Sequence, residues 1–529
     1  MTEERSVPTV ELPVQYNAVD YFVDRHLEAG RGQQIVFTDQ SGPWTCAQLS
    51  DRVNRTGNVL LELGVEAEQR VLMCMLDSID FPAVFFGAIK IGAIPVPVNT
   101  MLTEDDYQHM LRDSRAKVLV VSDSLYSRFS KVLNNQLYLR HVIIVGQGVD
   151  GHSTLSGLLC QASPVLASAP TSADDAAFWL YTSGSTGQPK GVCHPAQSLF
   201  TWRYSAHYWL SLTDRDVMWC TADTGWSKAG TSILFGPWSQ GSTVFFYDGP
   251  LEPKRRFELI EKYKVTVFCA AATELRQLVR ESVDEFDLSS LRLTVSAGES
   301  VNPEILDAWE ALTGVPLLDG YGQTETLMTV LNYPGMSVKP GSMGRALPGI
   351  RTAILLESGE LEHAGDEGEL LIGLPNTQTM LRYWNDPAKT KAALLTSHGE
   401  TWFKTGDHVV QDEDGYLFYR GRTDDIISSS GYRIGPQEVE NALIEHPAVR
   451  ESAVIGVPDE ERGEIVKAFI ILNDPDAASP QLVDELQEHT KATTAPYKYP
   501  RQIEFVSTLP KTVSGKIQRQ LLRKHAALK

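Results

Sequence analysis

Short runs rich in β-branched residues alternate with longer helical stretches through most of the chain. The run RVLMCML from Arg70 is followed by FPAVFFGAIKIG, and LRLTVSAG from Leu291 is followed by NPEILDAWEAL. The same pattern recurs at KVLVVS and HVIIVG, at TVFFY before EPKRRFELIEKY, and at VTVFCA before TELRQLVRE. Repeated strand-then-helix units imply mostly parallel sheets covered by helices on both faces. We therefore expect an α/β protein built from doubly wound sheets.

The pattern changes after about residue 345. There, short strands alternate with turn signals, as in GDEGELLIG and DEDGYLFYRG, which predicts a β-rich subdomain. Strand and helix signals return beyond GRTDD, in QEVENALIEH, ESAVIGV, VKAFIIL and QLVDELQEHT. A tail of about a hundred residues suits one small α+β domain. We predict a large N-terminal domain, residues 1–423, and a small C-terminal domain, residues 424–529.

Net charge limits the kinds of partner. The 529 residues carry a formal charge of -20, whereas nucleic acids and anionic membranes reward clustered Lys and Arg. We therefore expect neither of these as the main partner, and any bound anion must meet a local positive site. The N-terminus, MTEERSVPTVELPV, is acidic and lacks the apolar core of a targeting peptide, which favours a cytoplasmic protein.

The cysteines and the longest apolar stretch have ordinary structural interpretations. Six cysteines lie far apart without a Cys-x-x-Cys pair, so we expect buried free thiols and no structural zinc. The stretch FPAVFFGAIKIGAIPVPV from Phe81 contains Lys90 and three prolines. It predicts a buried helix that runs into an extended segment, and not a membrane span.

The string YTSGSTGQPKG, from Tyr181 to Gly191, raises the question of phosphate binding. It is not a Walker A loop, which needs Gly, four residues and then Gly-Lys-Ser/Thr. Its glycines permit close backbone approach, its hydroxyl side chains offer donors, and Lys190 adds a positive charge. By composition alone, an anion-binding turn and a plain surface turn are both open.

The exact order T-S-G-[ST]-[ST]-G-x-P-K-G resembles the signature of the adenylate-forming superfamily, which includes acyl-CoA synthetases, luciferases and peptide-synthetase adenylation domains. The resemblance covers essentially the whole chain, because SAGES, DGYGQTET, TGDH, GYRIGPQEVE and LPKTVSGKIQR follow in the family's order. It implies ATP and CoA as substrates, Mg²⁺ as cofactor, and a C-terminal domain that is mobile.

The resemblance also implies a nucleotide site. Its residues are Thr182, Ser183, Gly184, Ser185, Thr186, Gly187, Lys190, Gly298, Glu299, Ser300, Asp319, Gly320, Tyr321, Gly322, Gln323, Thr324, Asp407, Arg422, Arg433 and Lys516. In the family, the residue at the Tyr321 position stacks on adenine, that at Thr324 meets phosphate and the substrate carboxylate, and that at Glu325 holds Mg²⁺. The Asp407 position accepts the ribose hydroxyls, with Arg422 beside it. Taken alone, Glu325 would be a solvated acid and Asp407 a turn residue.

Two further groups of residues lie in the tail. The resemblance makes Lys516, Thr324, Glu325 and Arg433 the catalytic set, with Lys516 bridging the attacking carboxylate and the α-phosphate. Without it, Lys516 and Arg433 would be ordinary surface charges. The family rotates its C-terminal domain about the position of Asp424 before CoA attacks. Its CoA contacts correspond to Ser430, Gly431, Tyr432, Arg462, Lys491 and Tyr499.

The resemblance narrows the acid to a small or medium apolar one. The N-terminal third resembles benzoate-CoA ligases, while CTADTGWSKAG and the tail resemble medium-chain acyl-CoA synthetases. Trp226 and Leu327 are the expected acyl-pocket residues. Benzoate ligases carry a histidine where this chain has LMTVLN after Glu325, which favours a substituted benzoate.

Three alternatives to an aryl-CoA ligase differ in how well they fit the sequence. A medium-chain acyl-CoA synthetase stays open. A stand-alone enzyme that loads a carrier protein is less favoured, because Ser227 stands where amino-acid-activating members have Asp. A nucleotide sensor without turnover would have a damaged catalytic set, which this chain does not have. The partners are thus an acid, ATP and CoA, and the oligomeric state, including a homodimer, stays open.

Overall fold

The structure is a computed structural model that describes residues 12–134, 136–149, 151–182, 188–225, 235–298, 301–362, 367–429, 432–459, 462–512 and 515–527, with only the backbone at Arg433. Two compact units divide the chain. Unit 1 runs to Val338 and also contains Ala346–Ile350 and Pro375–Leu394. Unit 2 contains Lys339–Arg345, Arg351–Leu374 and the chain from Leu395. Strands and helices are numbered in chain order.

The largest sheet of unit 1 is mainly parallel. In spatial order it contains β16 (Arg345–Ala346), β15 (Leu327–Leu331), β14 (Leu317–Gln323), β13 (Leu293–Ala297), β12 (Val267–Cys269), β10 (Val217–Cys220), β11 (Thr243–Phe245), β1 (Ile35–Asp39) and β2 (Gly42–Thr45). The pairs from β14 through β1 are parallel, and β15 and β2 add antiparallel pairs. The carboxyl ends of β13 and β14 therefore lie at one edge, where open α/β sheets bind ligands.

Two smaller sheets complete unit 1. One is parallel, in the order β4 (Ile94–Pro97), β3 (Arg70–Cys74), β5 (Val118–Ser122), β6 (His141–Val145) and β7 (Ser153–Thr154). The other is antiparallel, in the order β20 (Arg382–Tyr383), β9 (Lys190–Pro195) and β8 (Ala176–Thr182). This antiparallel sheet carries both strands that flank the hydroxyl-rich loop.

The helices of unit 1 follow the predicted alternation. They are α1 (Arg25–Glu28), α2 (Cys46–Glu62), α3 (Asp80–Lys90), α4 (Glu104–Ser114), α5 (Leu155–Gln161), α6 (Ala196–Tyr204), α7 (Pro253–Tyr263), α8 (Ala272–Leu278), α9 (Pro303–Thr313) and α10 (Pro387–Ala392). Shorter π-helical or 3₁₀ turns span Asp20–Asp24, Asp123–Arg128, Ser205–Trp209 and Gly236–Gln240.

Local signals in the sequence explain several of these boundaries. Thr45 and Gln48 form a capping box that starts α2, so the first free amides of the helix have acceptors. Helix α9 starts after the Asn302 cap and ends at Gly314, whose φ of 71° favours glycine. Helix α3 is buried and leads into β4, which confirms the prediction for the Phe81 stretch.

Unit 2 contains two further sheets. The first has the order β18 (Leu361–Glu362), β17 (Thr352–Leu355), β19 (Glu367–Leu374), β22 (Glu400–Gln411) and β21 (Leu394–Ser397), with β23 (Leu417–Arg422) on β22. The second has the order β25 (Tyr432–Ile434), β24 (Ile427–Ser429), β27 (Gly463–Leu472) and β26 (Val449–Asp459), with β28 (Gln502–Phe505) on β27. The helices are α11 (Pro436–Ile444), α12 (Pro480–Thr493) and α13 (Arg519–Ala527), and 3₁₀ turns span Thr423–Asp425 and Pro475–Ala477.

The predicted α/β class and the change to β-rich structure after residue 345 are confirmed. The boundary proposed between residues 423 and 424 falls inside unit 2 and stays a prediction. One expectation needs correction: Cys160 is exposed, although the other five cysteines are buried as expected. Cys160 ends up at the surface because it lies near the end of α5, whose buried residues are Leu155 and Leu159. In the described part of the chain, no helix is long and apolar enough to cross a membrane.

Candidate active site

The hydroxyl-rich loop joins two neighbouring strands of unit 1. Thr182 ends β8 and pairs with Lys190 at the start of β9, so both predicted residues stand at the base of the loop. Ser183, Gly184, Ser185, Thr186 and Gly187 lie outside the described residues. The Lys190 side chain is 20% exposed, and its Nζ lies 3.9 Å from Asp386 Oδ2. The base of the loop therefore presents a hydroxyl and a largely buried cation side by side.

The SAGES and DGYG stretches lie next to each other at the edge of the large sheet. Gly298, with a φ of 90°, directly follows β13, while Glu299 and Ser300 lie outside the described residues. The registers Ser296 with Asp319 and Ala297 with Gly320 pair β13 with β14. The parallel pairing thus brings two predicted nucleotide-binding stretches to one place, as the resemblance implies.

A tight hairpin connects β14 to β15. Its register shifts between Tyr321 and Gly322, and Leu327 adopts a φ of 55°. A Cβ atom at Gly322 would lie 2.1 Å from the Leu327 carbonyl oxygen, so only glycine fits at this position. The hairpin therefore presents Gln323, Thr324 and Glu325 on a backbone path that glycine permits.

Two side chains from the neighbouring small sheet hold this turn. His194 Nε2 donates to the Thr324 carbonyl oxygen at 2.7 Å, and the Tyr383 hydroxyl donates to Glu325 Oε1 at 2.8 Å. The Met380 amide donates to the Glu325 carbonyl oxygen at 2.7 Å. His194 lies in β9 and Tyr383 in β20, which pairs with β9. The strand that carries Lys190 thus also fixes Thr324, and its neighbour β20 holds Glu325.

His194 is held in its neutral form. It is fully buried, and burial lowers its pKa to about 4. Its ring stacks on Phe178 with centroids 4.9 Å apart. Because a carbonyl oxygen only accepts hydrogen bonds, the neutral ring carries its proton on Nε2. The imidazole is therefore a fixed donor to Thr324 at neutral pH.

Unit 2 presents the predicted ribose-binding carboxylate. Asp407 lies in β22 and is 4% exposed, and Arg422 of the paired strand β23 donates to Asp407 Oδ1 and to the Thr405 carbonyl oxygen, both at 3.0 Å. Gly406 has a φ of 68°, and its amide donates to Glu369 Oε1 at 2.8 Å. Arg422 therefore lies beside Asp407 as predicted. Both residues belong to paired strands rather than to a loop.

Lys516 lies in a short loop before α13. Its side chain is exposed, its amide donates to Thr512 Oγ1 at 3.2 Å, and its carbonyl oxygen accepts from the Thr512 amide at 2.8 Å. After the loop, Arg519 of α13 binds both carboxylate oxygens of Glu440, at 2.7 and 2.8 Å. The Lys516 backbone is thus held by Thr512, while the lysine side chain is exposed to solvent.

The predicted hinge lies in the 3₁₀ turn Thr423–Asp425. The guanidinium of Arg523 donates to the Asp424 carbonyl oxygen at 3.4 Å and to Asp425 Oδ1 at 2.7 Å. Both acceptors belong to neighbouring residues of one turn. Helix α13 thus holds the turn that contains the predicted hinge.

The predicted CoA contacts are spread over several elements of unit 2. Tyr432 is 51% exposed and stacks on Tyr497 with centroids 4.2 Å apart. Lys491 Nζ lies 4.2 Å from the centroid of the Tyr499 ring. Arg462 donates its amide to Asp459 Oδ1 at 3.0 Å in the turn between β26 and β27. Ser430 and Gly431 lie outside the described residues, as does the side chain of Arg433.

Only one of the two expected acyl-pocket residues lies among the described residues. Leu327 is 3% exposed and packs in a cluster of buried apolar side chains, and Trp226 lies outside the described residues. Next to Leu327, Met328 packs with Trp209 and Leu331. The assignment of Leu327 and Trp226 to the acyl pocket stays a prediction.

Comparison with known families accounts for this arrangement. The sequence profile of AMP-binding enzymes matches residues 24–384, and that of the AMP-binding enzyme C-terminal domain matches residues 438–516. The chain belongs to the AMP-binding enzyme family. The superfamily resemblance in the sequence is therefore confirmed for this AMP-binding enzyme.

Relatives of the AMP-binding enzyme are similar over nearly their whole length. A benzoate–CoA ligase of Thauera aromatica is 40% identical over 522 residues, which cover 98% of this chain and 97% of the relative. The mitochondrial acyl-coenzyme A synthetase ACSM3 of Mus musculus is 40% identical over 91% of this chain and 84% of its own. The crystal structure of an anthranilate CoA ligase with anthranoyl-AMP has a TM-score of 0.90 at 35% identity, covering 98% of both chains. The AMP-binding enzyme is a ligase of the acyl-CoA synthetase class.

Sequence reasoning missed the residues that support the turn of this AMP-binding enzyme. His194 follows Lys190 by four residues, and Tyr383 lies in LRYWNDPAKT; neither string carries a distinctive chemical pattern. Only the pairing of β9 with β20 shows that both side chains face the Thr324–Glu325 turn. The one available signal was His194 itself, a polar residue two positions after the predicted strand residues KGV.

The predicted metal ligand fits a metal that arrives with its substrate. No group of three or more His, Cys, Asp or Glu side chains suited to a metal occurs within the described ranges. Mg²⁺ is commonly bound through one or two carboxylates together with substrate phosphates. Glu325 offers one carboxylate, oriented by Tyr383, which suits this mode of binding.

Proposed function

We propose that the enzyme activates a small aromatic acid, a substituted benzoate, with ATP as an acyl-AMP and then transfers the acyl group to CoA. The observation that carries this proposal is the similarity of the whole chain both to a benzoate–CoA ligase and to an anthranilate CoA ligase. The acids in the names of both relatives are benzoate-type acids, and each match covers 98% of this chain.

The environment of the substrate turn supports an apolar acid. A Cβ atom at Gly320 would lie within about 3 Å of Leu331, Trp209 and Met328, so these apolar side chains converge on the backbone of β14. Met328, the second residue after the turn that holds Thr324 and Glu325, belongs to this same buried cluster. Apolar walls with few polar groups favour a ring or an alkyl chain over a charged side group.

The chemistry of the first half-reaction follows from the groups present. An oxygen of the acid carboxylate attacks the α-phosphorus of ATP, the bond to the β-phosphate oxygen breaks with its electron pair, and pyrophosphate leaves. No proton is transferred and no protein nucleophile is needed. Positive charge must offset the anions, and we assign this role to Lys190, Arg433 and Lys516, with Thr324 meeting the phosphate and carboxylate. Glu325 would hold Mg²⁺, which supplies further charge to the phosphates.

The second half-reaction needs a different arrangement. The CoA thiol loses its proton to solvent, its sulfur attacks the acyl carbon, and the bond from that carbon to the phosphate oxygen breaks, so that AMP leaves. A lysine that bridges carboxylate and phosphate is then no longer required. We propose that the segment 424–529 turns about Asp424 between the two steps. In this arrangement Tyr432, Arg462, Lys491 and Tyr499 would contact CoA, together with Ser430 and Gly431, and its phosphates would find positive charge on an acidic protein. Asp407 and Arg422 would hold the ribose of the nucleotide.

A medium-chain acid is the second candidate. The similarity to the mouse acyl-coenzyme A synthetase, at the same 40% identity, favours it. An apolar pocket discriminates between a ring and a chain by only modest factors per methylene, so both classes deserve comparison.

A panel of acids tests the proposal. The purified enzyme receives Mg·ATP and CoA with benzoate, substituted benzoates or linear acids of four to twelve carbons, and AMP and thioester are measured. The highest kcat/KM with a substituted benzoate supports the proposal, and the highest value with a linear acid supports the second candidate. Acid-dependent pyrophosphate release without thioester formation would point to transfer to a carrier protein. Absence of turnover with every acid would contradict the ligase function.

A further inference from the structure

A second lysine, Lys389, is linked to Lys190 through Asp386, whose carboxylate contacts both residues. Lys389 lies in α10, and its Nζ lies 4.2 Å from the centroid of the Tyr383 ring. The Tyr383 hydroxyl donates to Glu325, the predicted magnesium ligand. Lys389 is half-buried, and burial first and the Lys190 charge second lower its pKa. Two ammonium groups therefore act on each other at this place.

The nearby carboxylates do not fully neutralise the charge of these two lysines. Asp386 Oδ1 accepts from the Lys389 amide at 2.9 Å, and Asp386 Oδ2 is 3.9 Å from Lys190 Nζ, a long ion pair. Glu325 is the other carboxylate whose charge acts on Lys389, and it already accepts from Tyr383. If Glu325 held Mg²⁺, its negative charge would serve the metal. Among the described residues, Asp386 would then be the carboxylate left to offset the two lysines.

Partly buried like charges are unfavourable unless an opposite charge is bound. The ligand of this site must therefore be an anion with enough charge for two lysines and a metal. A triphosphate or pyrophosphate meets this requirement, because Mg²⁺ bridges β- and γ-oxygens in phosphoryl-transfer enzymes. A carboxylate or a single phosphodiester carries too little charge.

We propose that Lys389 is a second polyphosphate-binding cation, which acts with Lys190 on the β- and γ-phosphates of ATP and stabilises pyrophosphate as it leaves. This inference rests on the proposed adenylation function. It adds a residue whose role is confined to the first half-reaction, because pyrophosphate takes part only there.

Substitutions can separate the effect of the Lys389 charge from that of its aliphatic side chain. Lys389→Met removes the charge and keeps a long apolar stem over Tyr383, whereas Lys389→Arg keeps the charge. Lys391→Met is the matched control, because Lys391 lies on the same helix α10, is exposed and loses the same charge. Circular dichroism and thermal unfolding establish that all three variants are folded.

Binding of magnesium pyrophosphate to each protein is measured by titration calorimetry, without any acid. We expect Lys389→Met to weaken this binding by about tenfold or more, as loss of a charge-assisted contact does, and we expect Lys389→Arg to restore most of it. Lys391→Met should bind like the wild type. Equal binding by Lys389→Met and the wild type would overturn the inference.

The two half-reactions give a second, independent readout with synthetic benzoyl-AMP. We expect Lys389→Met to raise the pyrophosphate concentration needed for ATP formation by about tenfold, while thioester formation from the same benzoyl-AMP and CoA falls less than twofold. Equal losses in both directions would show that Lys389 only supports the fold, which also overturns the inference. If the wild type binds pyrophosphate but forms neither ATP nor thioester from any acyl-AMP, the proposed function fails while the phosphate site stands.

Discussion

Lys516 shows how little the environment of a single residue reveals of its role. It is exposed, in a loop whose backbone is fixed by Thr512, and nothing in its local sequence separates it from a solvated lysine. A long, flexible cation nevertheless suits the transient task of holding two anions together, because it can deliver charge without being buried beforehand. The role of Lys516 is therefore best tested by separating the two half-reactions.

We expect Lys516→Ala to slow formation of acyl-AMP by about a hundredfold or more, the loss typical of removing a group that stabilises developing charge. Thioester formation from supplied acyl-AMP and CoA should change by less than threefold. Stopped assays of each half-reaction measure both rates. Lys511→Ala, in the same loop, is the control for loss of a surface lysine, and equal losses in both half-reactions would contradict the assigned role.

At the scale of elements, the hairpin between β14 and β15 carries the substrate turn on an unusual backbone. The bulge at Gly322 and the positive φ of Leu327 bring the two strands into contact where a side chain would not fit. Strands β9 and β20 then hold the turn from the other side through His194 and Tyr383. The turn that holds the predicted catalytic residues Thr324 and Glu325 is thus positioned by backbone geometry and by hydrogen bonds from a second sheet.

Gly322→Ala should displace this turn, because the new Cβ would lie 2.1 Å from the Leu327 carbonyl oxygen. We expect a loss of about a hundredfold in adenylation, since a displacement of about 1 Å at a reacting group has that effect. Gly314→Ala is the control: the φ of 71° at this position disfavours alanine, but open space surrounds it, and it lies at the end of α9. Both variants should lower the melting temperature, but only Gly322→Ala should lower kcat sharply.

The 3₁₀ turn Thr423–Asp425 is the second element that we expect to matter for turnover. Proline at position 424 fixes φ and limits the change of backbone conformation that a hinge requires. We expect Asp424→Pro to slow thioester formation at least tenfold while formation of acyl-AMP changes little. Single-turnover kinetics with and without CoA measure the two steps. Normal overall turnover of this variant, with Asp424→Ala as the comparison, would show that the hinge lies elsewhere.

For the molecule as a whole, buried histidines couple the stability of unit 1 to pH. His26 and His194 are both buried, and burial lowers the pKa of each from 6.5 to about 4. In the folded state both histidines are neutral, whereas in the unfolded chain they take up protons as the pH falls to near 6.5. The stabilising contribution of each is thus complete above pH 6.5 and is lost as the pH falls from 6.5 to 4.

We expect His194→Gln to show this directly, because its amide can donate a hydrogen bond but does not titrate. The advantage of the wild type over this variant should shrink by up to about 3 kcal/mol between pH 7 and pH 4. Denaturant unfolding followed by tryptophan fluorescence at several pH values measures the difference. Replacing the exposed His398 by Asn is the control, and the free energy of unfolding of this variant should change with pH as that of the wild type does. Parallel curves for His194→Gln as well would contradict the buried neutral state.

The strand and helix pattern, the change at residue 345 and the local caps were predictable from the sequence, because periodicity and turn chemistry act between near neighbours in the chain. The motifs that contain Lys190, Thr324, Asp407 and Lys516 were predictable for the same reason, as contiguous strings. What the strings do not contain is which distant segments meet. The pairing of β9 with β20 brought His194 and Tyr383 to the Thr324–Glu325 turn, and Asp386 links Lys389 to Lys190. The contacts of His194 with Thr324 and of Tyr383 with Glu325 join residues 130 and 58 positions apart, so their geometry exists only once the sheets have assembled.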